Sequence, residues 1–389
     1  MTLLLDALFS SVALSHLIVD TLNGQRAVLL AYLSGPLGLS NAALGLISTI
    51  YVVSAALMQP VFGFLTDRIG PRWVVAGGVL WMAVFFSMAV STPGQTALVF
   101  LILASLGSGA FHPAGTMQAT LRGRNHMSGQ ETTATAYFFV FGQMGLFFGP
   151  IVGGPLLERF GPLGLLSLSM FAFPVGLNAA WQLRYTVPAF VADLKDGNPG
   201  SGAGVVRNRP ALFSLLAFAT MAAFQSWVQQ NMITFVPKYL SDLGQPASIY
   251  GLVVALFMGG YALGNILGGN MADRFGKRRV AVIALTAASV PLFLVPAAGL
   301  SAWLYLLVPL AGMLTGATYS IIVVLAQRII PGGMAMASGL ILGFMFSTGS
   351  LGTLLTGHLA DIAGFAPVFH MNAAIAFTAA LLALSLQRR

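Results

Sequence analysis

The chain has 389 residues, of which 57% are hydrophobic and only 7% charged, with a formal net charge of +8 and a mean hydropathy of +0.86. A soluble globular chain carries roughly 25% charged residues, so water is excluded as the solvent for most of this surface. Cysteine is absent, which excludes disulfides, thiolate metal sites and thiol nucleophiles.

A bilayer core of about 30 Å requires about 20 mainly apolar residues per helix. Twelve runs meet that length, at 5–33, 41–66, 72–92, 96–121, 132–157, 162–187, 210–237, 247–272, 278–299, 302–327, 336–360 and 365–386. They are too long and too continuously apolar for the alternating strands of a membrane barrel, so the expected fold class is all-α and polytopic. The first run is too long for a cleavable signal peptide, lacks a basic leader and carries Asp20 and Arg26, and is expected to remain as the first membrane helix.

Span one carries unusual chemistry for a membrane helix. At about 100° per residue, His16, Asp20 and Asn23 fall within roughly 60° of one another, with Arg26 about 60° further around. Ionisable groups inside a membrane are functional candidates by default, and a buried aspartate near a cation is suited to carrying a proton. The alternative is a static pair, Asp20 with Arg26 or His16, that fixes helix packing.

Between spans two and three, Gly63-Phe64-Leu65-Thr66-Asp67-Arg68-Ile69-Gly70-Pro71-Arg72 forms a charged hairpin. It recurs 206 residues on, between spans eight and nine, as Gly269-Asn270-Met271-Ala272-Asp273-Arg274-Phe275-Gly276-Lys277-Arg278. At the same offset Gly45 matches Gly251, at the starts of spans two and eight. Two copies in register mark an internal duplication rather than two ordinary polar turns. Gly63 and Gly269 are expected at close backbone approaches, Asp67 and Asp273 as acceptors at a neighbouring helix N-terminus, and the arginines as partners for acids or phosphates.

Span five contains Gly145-Leu146-Phe147-Phe148-Gly149-Pro150-Ile151-Val152-Gly153-Gly154. Gly145 and Gly149 form a small-xxx-small face for close helix packing, and Pro150 allows a bend. After span six, residues 188–209 are rich in Gly, Pro, Asn and Ser and are expected to link an N-terminal bundle, 1–187, to a C-terminal bundle, 210–389. Spans seven to ten supply amides and aromatics instead of charges. Gln225 and Gln229 share a face of span seven, Tyr261 and Asn265 lie one turn apart in span eight, and Tyr319 lies within span ten. Such a wall suits a partly apolar organic substrate held by a few hydrogen bonds, or simply stitches helices together. His358 and Asp361 are expected at the membrane interface.

Along the twelve-span map fifteen of the eighteen basic residues fall on one side and two, Arg159 and Lys238, on the other, with Arg26 inside span one. This bias places both termini in the cytoplasm and makes the basicity a topology signal, not a nucleic-acid footprint. No phosphate-cradling loop, metal-ligand spacing or hydrolytic acid cluster is present, so no enzyme, metal or cofactor is expected.

The parallel duplication and the hairpin resemble the major facilitator superfamily, whose fold is two six-helix bundles. The resemblance implies that Gly63, Asp67, Arg68, Gly70 and Arg72, with Gly269, Asp273, Arg274, Gly276 and Lys277, act as a cytoplasmic gate. The glycine-proline stretch of Gly145, Gly149, Pro150, Gly153 and Gly154 resembles the motif of that superfamily's antiporter branches. Leu14 to Asp20, Gly109-Ala110-Phe111-His112-Pro113, Leu325 to Gly332 and Ser338 to Phe344 are similar to the fosmidomycin-resistance group, which is associated with proton-driven efflux of small compounds. In facilitators the first, fourth, seventh and tenth helices line the central cavity, so the resemblance brings His112 toward Asp20. Two departures stand out, because that group often has acids where this chain has Ala114 and Arg328. The expectation is a monomeric, proton-coupled exporter of small, fairly apolar organic compounds in the cell inner membrane. The alternatives are a metabolite facilitator or proton symporter and, in another class, a non-transporting sensor or scaffold.

Overall fold

A computed structural model describes residues 5–126, 131–186, 212–329 and 334–386. Among these residues six helices come first: α1 (Ala7–Ser34), α2 (Asn41–Ile69), α3 (Pro71–Ser91), α4 (Thr96–His126), α5 (Glu131–Phe160) and α6 (Leu166–Gln182). Seven follow: α7 (Leu212–Asp242), α8 (Ala247–Phe275), α9 (Lys277–Ala298), α10 (Leu304–Gly316), α11 (Tyr319–Ile329), α12 (Met334–Ala363) and α13 (Phe365–Ala383). The proposed linker 188–209 lies outside the described residues.

Among the described residues eleven stretches are long and apolar enough to cross a membrane, Leu304–Ala326 among them, which runs through α10 and into α11. The remaining passage is α1. Its 28 residues reach about 42 Å, long enough to span, but the polar residues of its middle lower its hydropathy.

Span ten differs from expectation in being broken at Ala317 and Thr318. The physical reason is local. Gln225 of α7 donates from Nε2 to the Thr315 carbonyl at 3.2 Å, and Thr318 Oγ1 donates to the same oxygen at 2.9 Å. Two side chains thus join a long bond from the Thr318 amide, at 3.4 Å, in satisfying a carbonyl that a continuous helix would have bonded four residues on.

The residues group into two compact units. In the first (Met1–Leu37, Ile50–Pro199, Pro246–Gly251) α1 runs along α5 and α3 along α4. Asp6 caps α1, its Oδ1 accepting from Phe9 N at 2.8 Å, and Arg122 lies 3.2 Å from the same oxygen. Glu158 at the end of α5 accepts from the Ser248 amide at 3.2 Å, at the start of α8. In the second unit (Gly38–Thr49, Gly200–Gln245, Leu252–Arg389) α7 packs on α12 and α13, and α9 on α13. Asp361 is exposed and takes a specific partner there: its two oxygens accept from the Asn41 and Ala42 amides at 2.7 and 2.8 Å.

The duplicated hairpins share one backbone device. Gly70 and Gly276 have φ of 89° and 92°, a region L side chains avoid, and each amide bonds four residues back, to Thr66 and Ala272. Here the glycine is required by conformation. Gly63, by contrast, does not make the expected close approach, because a Cβ there would come no nearer than 3.8 Å, to Pro113.

Candidate functional site

The first unit brings together His16, Asp20 and Asn23 of α1 with Ser108 and His112 of α4, Tyr51 of α2 and Phe138 of α5. Asp20 is the fourteenth residue of the 28 in α1 and is 7% exposed; His16 is 2% exposed. His16 Nε2 lies 3.2 Å from Asp20 Oδ2, and His112 Nε2 lies 3.6 Å from Asp20 Oδ1. Asn23 Nδ2 donates to Asp20 Oδ1 at 2.8 Å and to Ser108 Oγ at 3.0 Å, and Tyr51 O–H donates to Asn23 Oδ1 at 2.7 Å.

The far side of each imidazole is also held. His16 Nδ1 is 2.8 Å from the Phe138 carbonyl, and His112 Nδ1 is 2.8 Å from that of Ser108. A carbonyl only accepts, so both Nδ1 atoms donate. The His16 ring stacks on Phe138 at 4.0 Å between centroids and meets His112 edge-on at 5.0 Å. Arg26 is buried, 5.2 Å from the centroid of the Tyr51 ring.

His16, Asp20 and His112 also present ligand atoms within 4.8 Å of one another, close enough to hold a metal ion. Chain spacing gave no hint of this grouping, because fold and not sequence brings α4 to α1. The contacts already described occupy both carboxylate oxygens, Oδ1 with Asn23 and His112 and Oδ2 with His16. Tyr51, Ser108 and the Phe138 carbonyl were missed in the sequence; a carbonyl has no residue signature, and Tyr51 falls in an ordinary apolar run.

Helix α5 makes this site possible. A Cβ on Gly145 would sit 2.7 Å from Thr21 N, and one on Gly149 would sit 2.7 Å from Thr21 O, while one on Gly153 would strike Gln25. These glycines let α5 lie against α1 along the helix that carries Asp20. Pro150 joins the contact, with its Cδ 3.1 Å from where a Gly24 Cβ would lie. Gly154 instead faces the start of α8, with a Cβ 2.6 Å from Ala247 O.

In the second unit Gln225 Nε2 donates to Tyr261 Oη at 3.0 Å, and the Tyr261 and Tyr319 rings meet edge-on at 5.7 Å. Gln229 is 6% exposed, and the Oε1 atoms of Gln225 and Gln229 are buried without a hydrogen-bond partner. Asn265 is half-buried, one turn along α8 from Tyr261. A second amide network, missed in the sequence, joins Asn231 Nδ2 to Thr356 Oγ1 at 2.9 Å and to Asn372 Oδ1 at 2.7 Å. Gln225→Leu is expected to cost about 1–3 kcal/mol by leaving Tyr261 and the Thr315 carbonyl short of a donor; thermal unfolding in detergent measures it.

At the hairpins Arg68 lies over Phe64, 4.7 Å from the ring centroid, and Arg72 Nε donates to the Ala180 carbonyl at 3.0 Å. At the second copy Arg274 lies in the last turn of α8 and Lys277 is the first residue of α9. The side chains of Asp67, Asp273 and Arg328 lie outside the described residues.

Sequence comparison decides the family, since the family model described as Major Facilitator Superfamily matches residues 12–246 and 222–389. The chain belongs to the Major Facilitator Superfamily. It is therefore a multi-pass membrane transporter and not an enzyme. The fosmidomycin resistance protein of Escherichia coli is 24% identical over 91% of this chain and 86% of its own length. An uncharacterized facilitator-type transporter of Bacillus subtilis, YfnC, is 27% identical over 92% and 87%. The gentisate transporter of Corynebacterium glutamicum is 25% identical over 83% and 73%. Among solved structures the nucleoside transporter NupG superposes with a TM-score of 0.74 at 14% identity, covering 97% of this chain and 98% of that one; this likeness concerns the fold alone.

Proposed function

We propose that this facilitator exports small, fairly apolar organic compounds by alternating access in exchange for protons, with both termini on the cytoplasmic side of the cell membrane. The observation that carries the reading is the buried Asp20, set at the middle of α1 between two imidazoles. A carboxylate and two imidazoles in contact offer three sites that can each take up and release a proton, which a static apolar contact does not. The similarity to the fosmidomycin resistance protein supports the export direction, and the glycine face of α5 supports the antiporter assignment. On the substrate side, the unbonded Gln225 and Gln229 oxygens favour a compound that carries at least one N–H or O–H donor.

A second reading, a metabolite facilitator or symporter, is favoured by Ala114 and Arg328 and by the similarity to the gentisate transporter. A compound panel in proteoliposomes under an imposed pH gradient, with fosmidomycin and gentisate as first members, separates the two. Gradient-driven accumulation on the acidic side supports exchange, and accumulation on the opposite side supports symport.

In the same reading the doubled hairpins form the cytoplasmic gate. Asp67→Asn is expected to slow turnover severalfold while changing equilibrium binding of a transported compound less than twofold, a bias of about 1 kcal/mol on a conformational equilibrium. Equal losses in turnover and binding would remove the gate from the account.

A further inference from the structure

We propose that α5 is the positioning element of the Asp20 site: the Phe138 carbonyl fixes which nitrogen of His16 carries the resident proton, and Gly142 leaves the space in which the other nitrogen meets Asp20. The significance of this for transport rests on the exchange reading above, whereas the positioning itself stands on geometry within one unit.

The first part follows from donor and acceptor arithmetic. With Nδ1–H committed to the Phe138 carbonyl at 2.8 Å, a neutral His16 has only a lone pair at Nε2. That lone pair points at Asp20 Oδ2, an acceptor, 3.2 Å away. Two acceptors in contact need a proton between them. One proton therefore belongs to the His16–Asp20 pair in this arrangement, drawn either as imidazolium with carboxylate or as imidazole with carboxylic acid. Losing it sets a lone pair against a carboxylate and forces the pair apart. The same logic holds more loosely for His112, whose Nδ1 donates to Ser108 O and whose Nε2 is 3.6 Å from Asp20 Oδ1.

The second part is steric. A Cβ on Gly142 would lie against His16 Nε2, 2.5 Å from its Cε1 and 2.6 Å from Asp20 Oδ2, so it would enter the contact itself. Side chains at the end of a flexible stem evade such a clash, but this ring is confined. It stacks on Phe138, lies 5.6 Å from Phe111 between centroids, and is tied at Nδ1. Gly142 lies outside the Gly145 to Gly154 stretch, and the three atoms nearest its Cβ position belong to the two titratable side chains.

The groups facing the pair come from three neighbours of α5. Helix α1 supplies Asn23 and, one to two turns on, Arg26; α4 supplies His112; α2 supplies Tyr51, which reaches Asp20 through Asn23. The described residues of α5 near the pair, Phe138, Phe139 and Gly142, are not ionisable, so α5 acts on it by position alone.

The test needs no substrate. Purified full-length protein labelled with ¹⁵N-histidine is titrated by NMR in detergent, with the His16 signals assigned by their loss in His16→Gln. The proposal expects His16 to keep its Nδ1 proton across the titration and to gain and lose a proton at Nε2. It further expects Gly142→Ala to bind the Nε2 proton about tenfold more weakly, a displacement of about one pH unit. Gly77→Ala, where a Cβ meets nothing within 4 Å, is expected to leave the His16 titration unmoved. A deprotonated His16 carrying its proton on Nε2 overturns the first part, and an unchanged titration in Gly142→Ala overturns the second. If Gly142→Ala fails to fold, the wild-type tautomer alone still decides the first part, and the double variant Gly142→Ala with His16→Ala, which removes the ring the Cβ would strike, decides the second: restored folding supports it and continued failure overturns it. A normal tautomer and a displaced titration in a protein that moves no protons with its substrate would keep the positioning and discard the exchange reading.

Discussion

Asp20→Asn is expected to bring substrate-driven proton movement down to the protein-free background, a loss on the order of a hundredfold or more. Asparagine nearly preserves the volume of the side chain, and its carbonyl oxygen can still accept from Asn23, so the α1–α4 contact survives. What disappears is the only carboxylate that both imidazoles approach among the described residues. His16 and His112 can each become neutral by releasing a proton, so the variant avoids the several kcal/mol cost of a stranded buried charge. Its thermal unfolding in detergent should accordingly stay close to wild type, and its equilibrium binding of a transported compound should change severalfold at most. Retained proton movement at the wild-type ratio would make Asp20 a packing residue, the static alternative that the sequence left open.

The largest structural effect is expected along the seam between α8 and α10. Glycines at 260, 264 and 268 place their Cβ positions into the carbonyls of Pro309, Met313 and Ala317, and Gly312 and Gly316 do the same to Phe257 and Tyr261. The contacts are reciprocal and four residues apart, so two backbones approach with no side chain between them. A Cβ on Gly264 would overlap the Met313 carbonyl oxygen, and backbone cannot swing away as a side-chain tip can. Overpacking of this kind costs about 1–3 kcal/mol, and more when a helix must shift. Gly264→Ala should therefore lower the unfolding temperature clearly and weaken the Gln225–Tyr261 bond nearby. Gly343→Ala, with nothing within 4 Å of its Cβ position, should be neutral or slightly stabilising, since alanine outdoes glycine inside a helix by up to about 1 kcal/mol. Equal effects at both positions would mean that the seam is looser than described.

Much of this architecture was legible in the chain because the bilayer imposes one strong rule, and each apolar run had to become a helix. The starts at Asn41, Thr96 and Ala247 fall where the polar interruptions end. The break after Gly316 was not legible, because it depends on an amide from α7 meeting a carbonyl of α10, and hydropathy is blind to that bond. The site was half legible. His16, Asp20 and Asn23 share a helical face, and periodicity showed it; the family resemblance brought His112 to them. Tyr51, Ser108 and the Phe138 carbonyl were hidden, since each becomes polar machinery only by where its helix lies. Gly142 was hidden for a related reason. A glycine among the 45 of this chain signals nothing until its neighbours are known.

The duplicated hairpin shows the same division. Its repetition revealed the gene-level duplication at once, yet the two glycines that the backbone needs are Gly70 and Gly276, whose positive φ values turn the chain between helices. Gly63, seven residues earlier, repeats without a steric reason in its own copy.

The most direct test of the exchange mechanism is the direction of proton movement in wild-type proteoliposomes loaded with a pH dye, started by adding a transported compound on one side with no pH gradient present. Compound entry is expected to drive protons out, so that the lumen becomes alkaline, and Asp20→Asn is expected to give no signal. Acidification of the lumen on compound entry, or compound flux with no pH change, would contradict it.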